Sequence, residues 1–249
     1  MRTCGSHSGS DALGGQATAW IRQKGVMNDV DAENQLRDTL RAIPVLAGVS
    51  PEFDHTDVPD DPHVLFSEWL LAATRSGVAE PHAMTLSTVS ADGRPSARVL
   101  ILKDVDKDGW HFAVNSVSRK GRELSENPVA ALTFHWREQV RQVRVSGPVA
   151  ADPPDLAAAD FRARPVGSRL LALTRRQSDR LSGDAELDEA LARAARELAA
   201  DPDVVPDEWT SYAVRADEVE FWQGHPERRH IRVRYTLDDG TWSRAVLWP

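Results

Sequence analysis

Positive charge is concentrated on one side of a short stretch near the C-terminus, EFWQGHPERRHIRVRY (residues 220–235). Successive side chains of a β-strand point to opposite faces. A strand here would therefore place four cationic or titratable side chains on one face: Arg228, His230, Arg232 and Arg234. The chain as a whole has a formal net charge of −8. Such a local collection of guanidinium and imidazole groups is therefore a candidate site for binding an anion or stabilising negative charge.

Three further clusters of cationic and polar residues lie earlier in the chain. They are RPSARVLILK (residues 94–103), SRKGREL (residues 118–124) and RQVRVSG (residues 141–147). In the second cluster, Arg119 and Lys120 fall at a predicted helix start, where free N–H groups and the helix dipole favour a bound anion. One such cluster alone is typical of an arginine-rich solvated surface. Four of them in an acidic protein indicate a buried anion site.

Composition limits the partners of such a site. A net charge of −8 argues against a nucleic-acid binder, which would show a basic surface. The single cysteine, Cys4, excludes a disulfide framework or a cysteine metal cluster, and the histidines lack metal-ligand spacing. No apolar run approaches the roughly 18 residues of a membrane helix, and the N-terminus lacks a signal-peptide core. We predict a soluble, cytoplasmic protein with no nucleic-acid, membrane or metal partner.

The elements that position these clusters are mostly short strands separated by turn signals, among them three Asp-Gly turns. Such spacing predicts an antiparallel β-barrel decorated with helices, a mainly β fold of the α+β class.

Residues 1–47 are expected to form a mobile extension with a short helix ended by Pro44. The stretch VSPEFDHTDVPDDP is expected to be an extended linker, and residues 48–249 one domain. Neither a G-x-G-x-x-G nor a P-loop motif is present.

The order of the motifs resembles one known enzyme family. Read along the chain, RPSARVLILK, NSVSRKGRELSENPVAALTFHW, RQVRVSG, RP..S, RQS, EFWQG and R.H.R resemble the pyridoxine/pyridoxamine 5′-phosphate oxidase family over about residues 62–249. The resemblance implies a homodimeric, FMN-binding split β-barrel with FMN held across the subunit interface. It also implies oxidation of vitamin B6 phosphates to pyridoxal 5′-phosphate, with hydride passed to FMN and O₂ reduced to H₂O₂.

The resemblance also assigns residues to FMN, to the substrate and to catalysis. Lys103, Arg164 and Ser168 match positions that hold the substrate phosphate. Arg228 and His230 match positions that face the substrate ring, where Arg228 would stabilise developing negative charge and His230 would act as a hydrogen-bond partner or proton carrier. The positions that match FMN contacts are Arg98, Val99, Leu100, Ile101, Lys103, Arg119, Lys120, Gln142, Gln177, Ser178, Trp222 and Arg232.

Departures from the family pattern concern the substrate more than the cofactor. Asp160 stands at a substrate-binding position where the family has a phosphate-binding tyrosine. Either Asp160 turns away to pair with Arg162 or Arg164, or the substrate is not a phosphate ester. The N-terminal part is also similar to that of flavin oxidases of phenazine biosynthesis, which oxidise a non-phosphorylated reduced tricycle. Three hypotheses follow: a B6-phosphate oxidase, a phenazine-type oxidase, and a non-enzymatic flavin or B6-phosphate binder.

Overall fold

The computed structural model describes residues 29–249, with side chains from residue 34 onward. The greater part of the predicted mobile extension, residues 1–28, lies outside the described residues. The chain divides into two compact units, one that ends at Val45 and one that begins at Leu46. The described part of the first unit is a helix, α1 (Asp29–Ala42). This is the predicted short helix, and it ends just before Pro44, because proline cannot continue a helix.

The second unit contains the other helices and the strands of a 10-stranded sheet. Its helices are α2 (Pro62–Arg75), α3 (Arg119–Glu126), α4 (Pro154–Ala163), α5 (Val166–Leu173) and α6 (Asp184–Ala200). Its strands are β1 (Ala83–Val89), β2 (Pro95–Ile101), β3 (Asp104–Asp106), β4 (Gly109–Asn115), β5 (Val129–Trp136), β6 (Arg141–Ala151), β7 (Trp209–Val214), β8 (Glu218–Gln223), β9 (Ile231–Asp238) and β10 (Thr241–Val246).

The strands form an antiparallel sheet in the order β10-β9-β8-β6-β5-β1-β2, with a branch that runs from β6 through β7 to β4 and β3. Strand β6 creates the branch because its first half pairs with β8 and its last residues pair with β7. Between the two halves lies Gly147, where a Cβ would collide with the backbone carbonyl of Arg215. This branched, curled sheet confirms the predicted split barrel.

The core of the barrel is closed by the apolar face of α2. This helix begins with Pro62 in its first turn and Asp61 as the N-cap, whose carboxylate accepts a hydrogen bond from the His63 backbone N–H at 2.8 Å. Phe66 of α2 is fully buried, and its ring centroid lies 4.8 Å from that of Phe134 and 5.7 Å from that of Trp110. Edge-to-face packing of this kind stabilises a core beyond the area that it buries.

The stretch predicted to be a linker packs against the barrel instead. Val58 is part of the buried core. The carbonyl of Pro51 accepts a hydrogen bond from the Gln223 side chain at 2.9 Å, and the carbonyl of Pro59 accepts one from the Tyr235 hydroxyl at 2.7 Å. An irregular segment leaves its carbonyls without partners, so polar side chains of the sheet satisfy them.

Two local predictions were wrong in detail. The predicted strand through residues 228–235 begins only at Ile231, and Arg228 lies in the preceding turn with a φ of 64°. Arg228 and His230 therefore do not share a strand face with Arg232. The stretch after RP forms helix α5, which the sequence reading did not identify. Within residues 29–249, none of the helices combines the length and apolar composition that a membrane crossing requires.

Candidate functional site

A cavity of about 660 Å³ opens between the end of β2, strand β4, the start of α3 and helices α4 to α6. Such a volume is in the range that holds cofactors and small ligands. The cavity brings together many of the predicted site residues, although they are far apart in the sequence. Those that line it are Val99, Leu100, Ile101, Lys103, Lys120, Asp160, Arg164, Ser168 and Gln177.

Cations cluster at the N-terminus of α3, as the sequence predicted. Ser118 is the N-cap, and its hydroxyl accepts hydrogen bonds from the Gly121 N–H at 3.3 Å and from Lys120 Nζ at 3.2 Å. Lys120 Nζ also donates to Gln177 Oε1 at 3.1 Å, and the Arg119 N–H donates to Ser178 Oγ at 3.3 Å. The loop after α5 therefore contacts the start of α3 directly through these hydrogen bonds. The side chains of Gln177 and Ser178 thus lie beside the cations with which they were predicted to act.

A buried carboxylate, Glu123, organises this cluster from behind. It accepts hydrogen bonds from Thr88 Oγ1 at 2.5 Å, Ser96 Oγ at 2.6 Å and Arg119 Nε at 2.8 Å, and Arg98 Nη2 lies 3.4 Å away. Burial opposes ionisation of Glu123, but these donors outweigh it and lower its pKa to about 2. Glu123 was not among the site residues predicted from the sequence. Its spacing of four residues from Arg119 on one helix was the available signal.

The ammonium group of Lys120 is held in an unfavourable position. Only 7% of the residue is exposed, and burial together with the nearby Arg98 lowers its pKa to about 8. The cluster as a whole contains Arg98, Arg119 and Lys120 against one carboxylate. Two positive charges thus remain unbalanced at the start of this helix. A phosphate group, with about −1.5 to −2 charges, has the charge that this arrangement lacks.

The predicted positions around the substrate phosphate lie on the same cavity, but they carry an internal ion pair. Lys103 Nζ is 3.0 Å from Asp160 Oδ1, and Trp209 Nε1 donates to Asp160 Oδ2 at 3.2 Å. The guanidinium of Arg164 stacks over the Trp209 ring, 4.3 Å from its centroid. Asp160 therefore does not turn away to pair with Arg162 or Arg164, and Arg162 instead lies near Asp203.

A second group of predicted residues lies on the other branch of the sheet and does not line the cavity. Gln142, Trp222 and Arg232 are directly opposite one another on β6, β8 and β9, so they form one row across the sheet. The guanidinium of Arg232 donates to both oxygens of Glu220, at 3.1 and 3.0 Å. The imidazole of His230 lies 5.1 Å from the Trp222 ring, measured between centroids.

The turn before β9 presents Arg228 to solvent and holds His230 beside this row. The His225 N–H donates to His230 Nδ1 at 3.0 Å, which requires that nitrogen to be unprotonated. Burial, and next the charge of Arg228, lower the pKa of His230 below its ordinary value. The lowered pKa favours the uncharged imidazole, which is suited to both predicted roles, those of a hydrogen-bond partner and of a proton carrier.

The donor set at the start of α3 fits the phosphate end of a flavin mononucleotide. It combines guanidinium, ammonium, hydroxyl and helix N–H donors, all of which suit a phosphate oxygen. Gly121 lets α3 start close against the preceding loop, because a Cβ there would collide with the carbonyl of Ser116. The apolar walls beside the cluster, Val99 to Ile101 and Ala113, are suitable for a flat aromatic ring.

Comparisons with known proteins agree with this reading of the fold. A family model described as pyridoxamine 5′-phosphate oxidase matches residues 70–195. A second, described as the pyridoxine 5′-phosphate oxidase C-terminal dimerisation region, matches residues 209–249. A pyridoxine/pyridoxamine 5′-phosphate oxidase of Pseudomonas paraeruginosa is 41% identical over 195 residues, which are 78% of this chain and 91% of that protein. One of Burkholderia multivorans is 44% identical over 199 residues, 79% of this chain and 92% of that protein.

A similar solved structure is PhzG from Burkholderia lata in complex with tetrahydrophenazine-1-carboxylic acid. It is 33% identical with a TM-score of 0.74, and the match covers 82% of this chain and all of that one. The fold and these matches define a split-barrel enzyme of the oxidase class. More particularly, the chain belongs to the pyridoxamine 5′-phosphate oxidase family, so the resemblance found in the sequence is confirmed.

Proposed function

We propose that the protein is a homodimeric, FMN-dependent oxidase that uses O₂ and releases H₂O₂. The observation that carries this proposal is the cluster formed by Arg119 and Lys120 at the start of α3 and by Arg98 of β2, which Glu123 links to Arg119. Lys120 of this cluster lines a cavity with apolar walls. Bound FMN would accept a hydride from the substrate and return the electrons to O₂. The protein itself contributes binding, orientation and electrostatics.

Each residue of the first cluster has a role that follows from its contacts. Lys120 and Arg98 would neutralise the flavin phosphate, and the guanidinium of Arg119, which Glu123 holds at 2.8 Å, would add positive charge beside it. Gln177, already bonded to Lys120 at 3.1 Å, would keep the ammonium in place. Glu123 would hold Arg98 and Arg119 in position without reaching the ligand, because its oxygens are occupied by other donors.

The second group of residues supports a site that two copies of the chain build together. None of these residues lines the cavity of its own chain: Gln142, Trp222, Arg228, His230 and Arg232. All but Gln142 lie within residues 209–249, which match a family dimerisation model, and Gln142 is directly opposite Trp222 in the sheet. In the proposed dimer, this group of one copy completes the cavity of the other. Arg228 would then stabilise negative charge on the substrate, and uncharged His230 would hydrogen-bond to it.

Mixed dimers test this division of the site between copies. Lys120→Ala and Arg228→Ala variants with different affinity tags are co-expressed, and the mixed dimer is purified. Each variant alone should lose activity. The mixed dimer has one site with both substitutions and one with neither, so it should recover about half of the wild-type turnover. Absence of recovery would show that both residues act within one chain.

Two substrate classes remain candidates, each with its own support. Pyridoxine or pyridoxamine 5′-phosphate is supported by Lys103, Arg164 and Ser168 on one cavity and by the curated relatives. A non-phosphorylated reduced aromatic compound is supported by the ion pair between Lys103 and Asp160 and by the ligand in the PhzG structure.

Anaerobic reduction of the bound flavin distinguishes them. Purified, FMN-loaded protein is mixed without O₂ with pyridoxine 5′-phosphate or with a reduced phenazine carboxylate, and flavin absorbance is followed. Bleaching identifies the substrate class, and admission of O₂ should restore the colour and produce H₂O₂. A protein that neither binds FMN nor is bleached by either compound would refute the proposed function.

A further inference from the structure

The strongest unexplained feature of the cavity is a carboxylate at the place where an anionic ligand would bind. Asp160 and Lys103 both line the cavity, and their side chains are 16% and 32% exposed. One carboxylate oxygen lies 3.0 Å from the Lys103 ammonium, and the other accepts the Trp209 indole N–H at 3.2 Å. The lysine that would take a ligand's anion is therefore already paired within the chain.

The surroundings of Asp160 hold it in this orientation. The next residue along α4, Phe161, is fully buried, which fixes the helix against the barrel. Trp209 is also buried, so rotation of Asp160 would leave the indole N–H without its partner. The other cation of this part of the cavity, Arg164, does not pair with Asp160. Its guanidinium stacks over the face of the Trp209 ring.

The net charge of this part of the cavity limits the charge of the ligand that it can bind. Lys103 and Arg164 supply two positive charges and Asp160 removes one, which leaves one net positive charge. The cavity is also lined by Arg176 and Arg180 and by Asp179 and Glu186, and these four residues together add no net charge. A phosphate ester brings about −1.5 to −2 charges, whereas a carboxylate brings one.

We infer that Asp160 determines substrate specificity, an inference that rests on the proposed function. Asp160 excludes phosphate esters and selects a reduced aromatic substrate with a single negative charge, such as a carboxylate. The carboxylate of such a substrate would pair with Arg164 and Ser168, while Lys103 stays with Asp160. A doubly charged phosphate would instead have to approach Asp160 or break its ion pair with Lys103.

The test compares binding of two probes to FMN-saturated protein by titration calorimetry. The probes are pyridoxal 5′-phosphate, which is doubly charged, and phenazine-1-carboxylate, which is singly charged. The variant is Asp160→Asn, which keeps an acceptor for Trp209 but removes the charge. The matched control is Asp155→Asn, an exposed residue of the same helix outside the cavity. Each probe is compared with itself across proteins, so the difference in ring size does not affect the result.

Asp160→Asn should tighten binding of pyridoxal 5′-phosphate more than binding of phenazine-1-carboxylate. A carboxylate about 4 Å away weakens binding by about fivefold to several hundredfold for each ligand charge, depending on the effective dielectric constant. The ratio of the two gains should therefore be about fivefold or more, and Asp155→Asn should leave it at one.

Equal gains for both probes, or none for the phosphate, would overturn the inference, because Asp160 would then not oppose the second charge. Wild-type protein that fails to bind phenazine-1-carboxylate would also overturn it. If Asp160→Asn misfolds, Asp160→Ala provides the same comparison. Uptake of FMN is measured separately by absorbance, so loss of the proposed function would be distinguished from a failure of this inference.

Discussion

Binding of FMN should depend on pH through a single lysine. The pKa of Lys120 is lowered to about 8 by burial and by Arg98, so its charge is costly while the site holds no anion. A phosphate beside the ammonium favours the charged form and raises this pKa again, toward the ordinary value of about 10.4. Binding of FMN above pH 8 therefore requires uptake of a proton.

The magnitude follows from the titration of the free protein. Between pH 7 and pH 9, the protonated fraction of a group with a pKa of about 8 falls about tenfold, while in the complex the lysine stays protonated. The dissociation constant for FMN should thus rise about tenfold over this range and change little below pH 7. The phosphate of FMN, with a second pKa near 6, is doubly charged throughout.

Titration of the apoprotein by quenching of flavin fluorescence measures this dependence. Riboflavin, which lacks the phosphate, is the control ligand, and its affinity should be nearly constant from pH 7 to pH 9. The matched variant is Lys120→Arg, whose guanidinium stays charged, and its FMN affinity should also be nearly flat. If FMN affinity of the wild type is constant, or if riboflavin shows the same loss, Lys120 does not bind the phosphate.

Three further predictions concern catalysis and stability. Arg228→Ala should slow anaerobic reduction of the flavin while the FMN content stays unchanged, and loss of FMN would show that Arg228 binds the cofactor instead. Glu123→Gln should lower the free energy of unfolding in urea by about 3–5 kcal/mol, because it leaves buried donors and cations without their counter-charge. Burial opposes protonation of His111, but its hydrogen bonds to Asp152 and Asp106 outweigh burial and raise its pKa. Its stabilising effect should be complete below the unfolded pKa of about 6.5 and lost as pH rises through the higher folded value, so His111→Gln should lower the melting temperature more at pH 6 than at pH 9.

Local signals in the sequence were sufficient for much of the fold and for the first cluster. The β1–β2 hairpin followed from its turn at Gly93, which has a φ of 82°. The start of α3 was predicted at Arg119 and Lys120, and the structure places Ser118 there as the N-cap. Both depend on residues only a few positions apart, which is the range over which turn and capping chemistry acts.

Features that depend on contacts between residues far apart in the chain could not be predicted from local sequence signals. Strand alternation was extended from Ile231 back to Arg228, but the backbone there turns, and no residue type between them marks the boundary. The partner of Asp160 was sought among its neighbours on α4, whereas it is Lys103, beyond the end of β2. Only the packing of α4 beside that strand end brings these charges within 3.0 Å of each other.

The two carboxylates near the cavity show that the position of a counter-charge matters more than its presence. Glu123 lies behind its cations, and its oxygens are occupied by Thr88, Ser96 and Arg119. It pairs with Arg119 and Arg98 but does not line the cavity, and Lys120, which does line it, is not paired with Glu123. A ligand phosphate would therefore meet Lys120 without displacing a carboxylate. Asp160 faces the cavity and takes the lysine itself, so it competes directly with a ligand anion. The same charge would thus support phosphate binding at one end of the site and oppose it at the other, which would allow the proposed enzyme to hold the phosphate of FMN and still reject a phosphate-bearing substrate.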